Sequence, residues 1–209
     1  MIPFSNPHAS YKAHWHETNE AIRRVLDSGC YVLGKEVENF ENEFASFHGK
    51  ALHAVGVANG TDAIALCLRG LGLGTGDEII TPSHTAVATV AGIELAGCTP
   101  VFADIDPNTR CIDTKSIEKR LGSNTRAIMP VHIYGQPAEM YKILEIARAH
   151  KLAVVEDCSQ AHGAEIDGQK VGTFADISTV SGNICKSWYF CRYFRLQLLS
   201  DQKPGGYGR

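Results

Sequence analysis

Two adjacent acids, Glu156 and Asp157, follow a run of four apolar residues, Leu152-Ala-Val-Val155. A run of this length and composition is typical of a buried parallel strand. The acids then lie at its carboxyl end, and open α/β sheets bind ligands outside the carboxyl ends of their strands. An acid buried there is costly unless a positive partner meets it. Asp157 is therefore either a ligand-binding carboxylate or a residue that caps a turn or a helix.

A second candidate is the turn Val57-Ala-Asn-Gly-Thr-Asp-Ala63, which joins a strand-like segment to a helical one. The first backbone N–H groups of a helix have no partner within the helix and lie at the positive end of its dipole. Gly60 allows an anion to approach closely and Thr61 adds a hydroxyl donor, so this turn is a candidate phosphate cradle. It carries neither a Walker Gly-Lys-Ser/Thr nor a GxGxxG fingerprint. A plain Asn-Gly turn is the alternative interpretation.

Polar residues also follow two further predicted strands. His84 lies among three hydroxyl residues in Ser-His-Thr-Ala-Val-Ala-Thr89, and Pro130-Val-His-Ile-Tyr-Gly-Gln136 offers polar side chains without a definite role. A single histidine at a helix start is more often a surface or capping residue than a catalytic one. Lys186 lies 186 − 157 = 29 residues after Asp157, and an isolated lysine is usually a solvated surface residue.

Taken as a set, a carboxylate, a phosphate cradle and a lysine at the loop edges of one sheet meet the requirements of pyridoxal 5′-phosphate. A lysine holds the aldehyde of that cofactor as a Schiff base, and an acid pairs with the ring nitrogen so that the ring can act as an electron sink. The phosphate needs backbone donors of the kind expected at Gly60. The three features together predict a pyridoxal phosphate site.

The elements that must position these residues alternate between strand and helix. Two amphipathic helices are predicted first, over residues 14–27 and 37–47. The βα units that follow predict a largely parallel sheet with helices on both faces. The expected strands are 51–57, 78–80, 100–103, 127–131, a strand from 152 and 176–180; the expected helices are 60–71, 85–95, 114–121 and 138–150, and an apparent hairpin covers 164–172.

Composition narrows the class of protein. The chain has 209 residues, 44% of them hydrophobic, which is enough for one large domain, alone or with part of another. A net charge of −3 gives no reason to expect nucleic acid or an anionic membrane as a partner, and no apolar run approaches the ~20 residues that span a bilayer. The start of the chain lacks a signal peptide, and seven cysteines without a CxxC pair indicate neither a zinc site nor a disulfide framework. We therefore expect a cytoplasmic protein with reduced thiols and no metal.

Six blocks of the sequence occur in an order that points to a family. They are Glu36-Val-Glu-Asn-Phe-Glu41, Ala58-Asn-Gly-Thr-Asp-Ala63, Gly76-Asp-Glu-Ile-Ile-Thr-Pro-Ser83, Val131-His-Ile-Tyr-Gly-Gln136, Val155-Glu-Asp-Cys-Ser-Gln-Ala-His-Gly-Ala164 and Gly172-Thr-Phe-Ala-Asp176. From about residue 3 to about residue 181 the chain resembles the DegT/DnrJ/EryC1/StrS sugar aminotransferases, which are fold-type I pyridoxal-phosphate enzymes. The resemblance implies an α/β/α sandwich with a mostly parallel sheet, like the large domain of aspartate aminotransferase.

The resemblance also implies a role for each matching residue. Asp157 matches the acid that pairs with the pyridine nitrogen. Lys186 falls at the spacing of the Schiff-base lysine, which first holds the cofactor and then moves protons during transamination. The residues that match other cofactor contacts are Gly60, Thr61 and Ser181 at the phosphate and Gln160 near the phenolic oxygen.

Family resemblance further implies the substrates and the assembly. Members act on nucleotide-linked keto-sugars, commonly with glutamate as the amino donor, and supply amino-sugar biosynthesis. They are usually homodimers whose active sites take residues from the partner subunit. We therefore expect a sugar aminotransferase that is a homodimer when it is full-length.

The sequence departs from the family pattern at the cofactor ring and after residue 179. Ala86 stands where most members have an aromatic residue that stacks on the ring, and we expect His84 to take that place. Beyond Thr179 only Ser181 and Lys186 coincide with the family, and the segment 190–195 has no clear period for helix or strand. Our hypothesis is that this tail is out of its original reading frame or is otherwise degraded.

Family members also continue further than this chain. We therefore expect an N-terminal segment and a partial pyridoxal-phosphate-binding large domain over 1–181, an atypical tail without regular structure over 182–209, and no small C-terminal domain. The leading hypothesis is a truncated sugar aminotransferase. The alternative is a non-catalytic fragment that keeps the fold and only binds or associates. The enzyme hypothesis predicts that the Lys186 amine and the Asp157 carboxylate face one pocket with room for a pyridine ring between them.

Overall fold

A seven-stranded sheet forms the centre of the protein. The structure is a computed structural model that describes residues 6–49, 52–181 and 194–199. The sheet has the strand order β1-β9-β8-β5-β4-β2-β3, and β6 and β7 form a separate hairpin. The strands are β1 (Leu52–Val57), β2 (Glu78–Pro82), β3 (Thr99–Ala103), β4 (Thr125–Ile128), β5 (Ala153–Asp157), β6 (Glu165–Ile166), β7 (Gln169–Lys170), β8 (Ile177–Ser181) and β9 (Phe194–Leu199).

The sheet is mostly parallel, as the sequence predicts. The pairs β2–β3, β2–β4, β4–β5 and β5–β8 are all parallel. Strand β9 lies between β1 and β8 and pairs with both of them antiparallel. Because β1 and β8 each run against β9, they run parallel to one another. The carboxyl ends of β1, β2, β4, β5 and β8 therefore lie at one edge of the sheet.

Helices cover both faces of this sheet. In the part of the chain that the structure describes they are α1 (Pro7–Ala13), α2 (Trp15–Ser28), α3 (Lys35–His48), α4 (Gly60–Gly70), α5 (Val87–Ala96), α6 (Thr114–Arg120) and α7 (Met140–His150). None of them is long and apolar enough to cross a bilayer.

Strand alternation divides the core between the two faces. On one face, Val155 and its sheet neighbours pack with residues of α4 and α5, including Ile64 and Ile93. On the other face, Val154 packs with residues of α6 and α7, including Ile117 and Ile143. The result is the three-layer α/β/α architecture that the sequence predicts.

Capping residues set the helix ends close to the predicted positions. Asn59 caps α4 by accepting a hydrogen bond from the backbone N–H of Asp62 at 2.9 Å, and Asp113 caps α6 through the N–H of Lys115 at 3.1 Å. Gly97 ends α5 with a left-handed φ of 93°. Helix α5 begins at Val87 rather than at residue 85, and no side chain caps it. Residues 83–86 therefore form a loop between β2 and α5 at the sheet edge.

The tail contains one element that the sequence analysis did not predict. We expected no regular structure after residue 181, yet residues 194–199 form β9, in register from Ser181↔Phe194 to Leu52↔Leu199. The physical reason is hydrogen bonding of the backbone. Without β9, the facing edges of β1 and β8 would have unpaired N–H and C=O groups, and an antiparallel strand between them pairs both edges. Residues 182–193 and 200–209 lie outside the described residues.

Candidate active site

The predicted site residues meet at the carboxyl edge of the sheet. Gly60 follows β1, His84 follows β2, and Asp157 ends β5, with Gln160 shortly after it. The structure therefore brings these four positions to one edge from separate parts of the chain. A crevice at this edge is where open α/β sheets bind ligands.

Asp157 is buried at this edge without a charged partner. Its side chain is 4% exposed. Oδ1 accepts a hydrogen bond from the N–H of Ser159 at 3.1 Å, and Oδ2 accepts one from the hydroxyl of Thr89 at 3.2 Å. The hydroxyl of Thr179, on the neighbouring strand, makes a long contact of 3.5 Å with Oδ1. Among the described residues, no cation lies within ion-pair distance of Asp157.

Both sequence interpretations of Asp157 thus have a structural counterpart. Oδ1 closes a turn onto Ser159, which is the capping role, whereas Oδ2 meets only the neutral hydroxyl of Thr89. A neutral hydroxyl does not compensate a buried negative charge as a cation does. The carboxylate therefore suits a cationic ligand group placed at the sheet edge.

The side chains that neighbour Asp157 from α4 and α5 are neutral. Thr89, which holds Oδ2, is itself bonded to the hydroxyl of Thr85 at 2.8 Å. Burial raises the pKa of the Cys67 thiol on α4 well above its ordinary value, and the negative charge of Asp157 raises it further. Cys67 therefore stays a neutral thiol and is not a charged partner for Asp157.

The start of α4 has the features of an anion cradle. Asn59 accepts two hydrogen bonds from the first turn of the helix. Its side-chain oxygen accepts the N–H of Asp62, and its backbone carbonyl accepts the N–H of Ala63, each at 2.9 Å. The cap does not use the N–H groups of Gly60 and Thr61, so these two donors can bind an anion. The Asn59 amide also binds the carboxylate of Asp62 at 2.5 Å, which engages the one acid of the first turn.

Helix α5 packs against the first turn of α4 at Gly92. A Cβ added at Gly92 would lie 2.7 Å from Cβ of Ile64 and 2.9 Å from the carbonyl oxygen of Thr61. The absence of a side chain at Gly92 therefore allows α5 to touch the first turn of α4 directly. The position of the Thr61 backbone depends on this close approach.

His84 and Gln160 are connected through a residue to which the sequence assigned no role. His84 is exposed, and its Nε2 lies 3.1 Å from the hydroxyl of Tyr134, with the two ring centroids 5.7 Å apart. The backbone N–H of Tyr134 donates to Oε1 of Gln160 at 2.9 Å. The loop after β4 therefore joins the loops after β2 and β5.

Two predicted site residues are only partly covered by the structure. The backbone of Ser181 ends β8, two residues after Thr179, which pairs with Asp157. Lys186 lies outside the described residues, so its separation from Asp157 stays a prediction. Tyr134 could have been suspected from the polar block 130–136, but its connection to His84 joins residues 50 positions apart.

The residue that sequence reasoning missed most clearly is Glu156. It is fully buried, and its carboxylate accepts hydrogen bonds from the N–H groups of Gly172 at 2.7 Å, Ala175 at 2.8 Å and Phe174 at 2.9 Å. Strand alternation places it on the face opposite Asp157. The signal in the sequence was the adjacency of two acids, since one of the pair must then face away from the site.

His132 completes this network and decides whether it can hold a metal. Its Nε2 lies 3.1 Å from Glu156, and its Nδ1 accepts a hydrogen bond from the N–H of Ala138 at 3.0 Å. The ring therefore carries its proton on Nε2 and donates it to Glu156. His132, Glu156 and Cys158 have ligand atoms within 4.8 Å of one another. Because the Glu156 oxygens and the His132 nitrogens are already engaged, this cluster is a structural brace.

Comparison with known proteins agrees with this geometry. The DegT/DnrJ/EryC1/StrS aminotransferase family model matches residues 13–187. The dTDP-3-amino-3,6-dideoxy-alpha-D-galactopyranose transaminase of Aneurinibacillus thermoaerophilus is 45% identical over 181 residues, which is 87% of this chain and 50% of that protein. The chain thus spans about half the length of the curated relatives it matches.

Solved structures show the same relation. The crystal structure of S. venezuelae DesV in complex with a ketimine intermediate superposes with a TM-score of 0.88 and 41% identity, covering 96% of this chain and 54% of that one. The structure of ntda from Bacillus subtilis with bound cofactor PMP superposes with a TM-score of 0.85 and 32% identity, covering 97% of this chain and 46% of that one. PMP is the amino form of pyridoxal phosphate, the cofactor of the family. This chain belongs to the DegT/DnrJ/EryC1/StrS aminotransferase family.

Proposed function

We propose that this chain forms part of a pyridoxal-phosphate-dependent aminotransferase that converts nucleotide-linked keto-sugars to amino-sugars, with glutamate as the donor. Its relatives support the substrate class, since the Aneurinibacillus protein is named as the transaminase of a dTDP-linked amino-sugar. The site supports the cofactor, because it offers a carboxylate and an anion cradle at one sheet edge.

The observation that carries the proposal is the uncompensated charge of Asp157. A carboxylate that is 4% exposed and bonded only to neutral donors is costly unless a cationic group meets it. The protonated nitrogen of a pyridine ring is a cation that fits this place. Bound at this edge, the cofactor supplies an electron sink for reactions at the amino-bearing carbon.

The other residues at the edge have roles that follow from their chemistry. The N–H groups of Gly60 and Thr61 bind the phosphate, and the backbone position of Ser181 at the end of β8 is consistent with a third contact. His84 would lie against one face of the ring, in place of the aromatic residue that most family members carry at position 86, where this chain has Ala86. Lys186 contributes the amine that holds the aldehyde and moves protons, a role supported by its spacing from Asp157.

The proposal also covers the oligomeric state of the protein and its location in the cell. Exposed apolar side chains occur at Val87 (84% exposed), Val32 (73%), Leu33 (72%) and Tyr31 (62%). Tyr31, Val32 and Leu33 are consecutive, and burial of their apolar side chains against a second copy of the chain would be favourable. We therefore propose a homodimer in the cytoplasm, and sedimentation velocity at several concentrations tests the dimer, which a monomer at every concentration would contradict.

Reductive trapping tests the proposed function directly. The 209-residue chain is incubated with pyridoxal phosphate and reduced with borohydride, and the modified peptides are mapped by mass spectrometry. We expect one dominant pyridoxyl group at Lys186, absent from Lys186→Ala and retained in Lys142→Ala, which alters an exposed lysine on α7. Label spread over surface lysines, or none at saturating cofactor, would refute the catalytic role of Lys186. Conversion of the bound cofactor by glutamate then separates an enzyme from a binding fragment.

A further inference from the structure

Tyr134 stands between two of the proposed cofactor contacts. Its hydroxyl lies 3.1 Å from Nε2 of His84, and its backbone N–H donates to Oε1 of Gln160 at 2.9 Å. Its side chain is 71% exposed, so burial of apolar surface does not explain its position. The residue lies at the same edge as the site and connects three loops that are distant in sequence.

The backbone of Tyr134 is held in an unfavourable conformation. Its φ of 55° and ψ of 21° place a bulky residue in the left-handed region, which favours glycine. Such a conformation persists only where neighbouring structure enforces it. Here the buried His132 anchors the loop through Ala138 and Glu156, and the N–H of Gln136 bonds to the carbonyl of Ile133 at 2.9 Å.

The consequence for Gln160 is a defined orientation of its side-chain amide. Because Oε1 accepts the N–H of Tyr134, the opposite atom, Nε2, is the one that remains for a ligand. Nε2 is a donor only. Gln160 therefore presents a hydrogen-bond donor, which matches an anionic or carbonyl-like oxygen on the ligand.

The consequence for His84 is a defined proton position. A phenolic hydroxyl is a stronger donor than a neutral imidazole N–H, and an imidazole nitrogen is a stronger acceptor than a phenol. The Tyr134 hydroxyl therefore donates to Nε2 of His84, and the proton of the neutral ring lies on Nδ1. This bond also fixes the plane of a ring that is otherwise exposed.

We propose that Tyr134 is a positioning residue that orients His84 and Gln160 toward the same ligand. It acts through its hydroxyl on the His84 ring, which would lie against the cofactor, and through its backbone N–H on the Gln160 amide, which would meet the phenolic oxygen. The identity of that ligand as pyridoxal phosphate rests on the proposed function. The linkage among the three residues is a property of the chain itself.

The linkage is tested first without cofactor. Tyr134→Phe removes the hydroxyl and keeps the ring and the backbone N–H. In ¹⁵N NMR spectra of the histidine rings, with His84 assigned from a His84→Leu variant, we expect the Nδ1–H form to dominate in the wild type and to lose its dominance in Tyr134→Phe. Tyr141→Phe is the matched control, because its tyrosine is exposed on α7 and contacts Phe174 rather than His84. An unchanged His84 tautomer in Tyr134→Phe would overturn the proposal.

The effect on the ligand is tested by a double-mutant cycle. We expect Tyr134→Phe to raise the Kd for pyridoxal phosphate about three- to tenfold, as for loss of one hydrogen bond, and Tyr141→Phe to leave it unchanged. In a His84→Leu background the same substitution should change the Kd less than about twofold, because the hydroxyl then has no partner to orient. Equal effects in both backgrounds would overturn the proposal. If the wild type does not bind pyridoxal phosphate, the proposed function fails and the tautomer measurement still decides the role of Tyr134.

Discussion

Glu156 and Asp157 are neighbours in sequence with opposite surroundings. Alternation along β5 turns Glu156 toward three backbone N–H groups and His132, and turns Asp157 toward the hydroxyl of Thr89. The first carboxylate has its hydrogen-bonding capacity filled by the protein. The second keeps its charge available for a ligand. This difference is what separates a structural acid from a candidate site acid here.

The structural role of Glu156 leads to a stability prediction. In Glu156→Gln one carboxylate oxygen becomes an amide NH₂. This places a donor either against the N–H groups of Phe174 and Ala175 or against those of Gly172 and the His132 ring. We expect the free energy of unfolding to fall by about 2 to 4 kcal/mol, since a buried donor is left unsatisfied. Urea denaturation followed by circular dichroism measures it.

The matched control is Glu145→Gln, which alters an exposed glutamate on α7. Surface substitutions of this kind usually change stability by less than about 0.5 kcal/mol. Equal stability of Glu156→Gln and Glu145→Gln would show that the network around His132 does not stabilise the fold.

At the scale of elements, the contact between α4 and α5 sets the position of the anion cradle. In Gly92→Ala the new methyl group would press on Ile64 and on the carbonyl of Thr61. We expect a loss of about 1 to 3 kcal/mol in the free energy of unfolding, together with weaker binding of pyridoxal phosphate, because the first turn of α4 must shift. Thermal unfolding and a fluorescence titration measure the two effects.

Gly70→Ala provides the control within α4. A Cβ at Gly70 meets nothing within 4 Å, so this variant should be as stable as the wild type or more stable, with unchanged cofactor affinity. If Gly92→Ala unfolds less readily than the wild type or binds the cofactor equally well, the close approach does not position the cradle.

Much of the element pattern could be predicted from periodicity and apolar runs. The apolar runs at β2 and β5 are local signals, and both strands that they predict are present. The structure adds the caps Asn59 and Asp113 at the starts of α4 and α6. Strand β9 was missed because its formation depends on the unpaired groups of β1 and β8, which are distant in sequence. A local sequence pattern does not show that two distant strands need a partner between them.

The sequence likewise predicted only part of the candidate site. Asp157 and Gly60 lie beside strand ends, so their position at the sheet edge could be inferred from topology alone. The connection of His84 to Tyr134 and Gln160 depends on a left-handed residue and on contacts across 50 and 26 positions. Only the folded backbone shows that these three residues act on one another.

At the scale of the whole molecule, the fold brings a buried carboxylate and the start of a helix to one edge of the sheet from parts of the chain that are separated in sequence. Strand β1 carries the cradle and β5 carries Asp157, with β8 and β9 between them. A ligand that meets both would carry a cationic group at one end and an anionic group at the other. Pyridoxal phosphate has this arrangement.

Replacement of the ring nitrogen tests this account most directly. The Kd values of pyridoxal phosphate and of its 1-deaza analogue, which has C–H in place of the ring nitrogen, are measured for the wild type, for Asp157→Asn and for the control Asp113→Asn, in which asparagine still caps α6. We predict that the wild type and Asp113→Asn bind pyridoxal phosphate at least about tenfold more tightly than the analogue, and that Asp157→Asn loses this preference. Equal affinity of the wild type for the two ligands would contradict the pairing of Asp157 with the ring nitrogen.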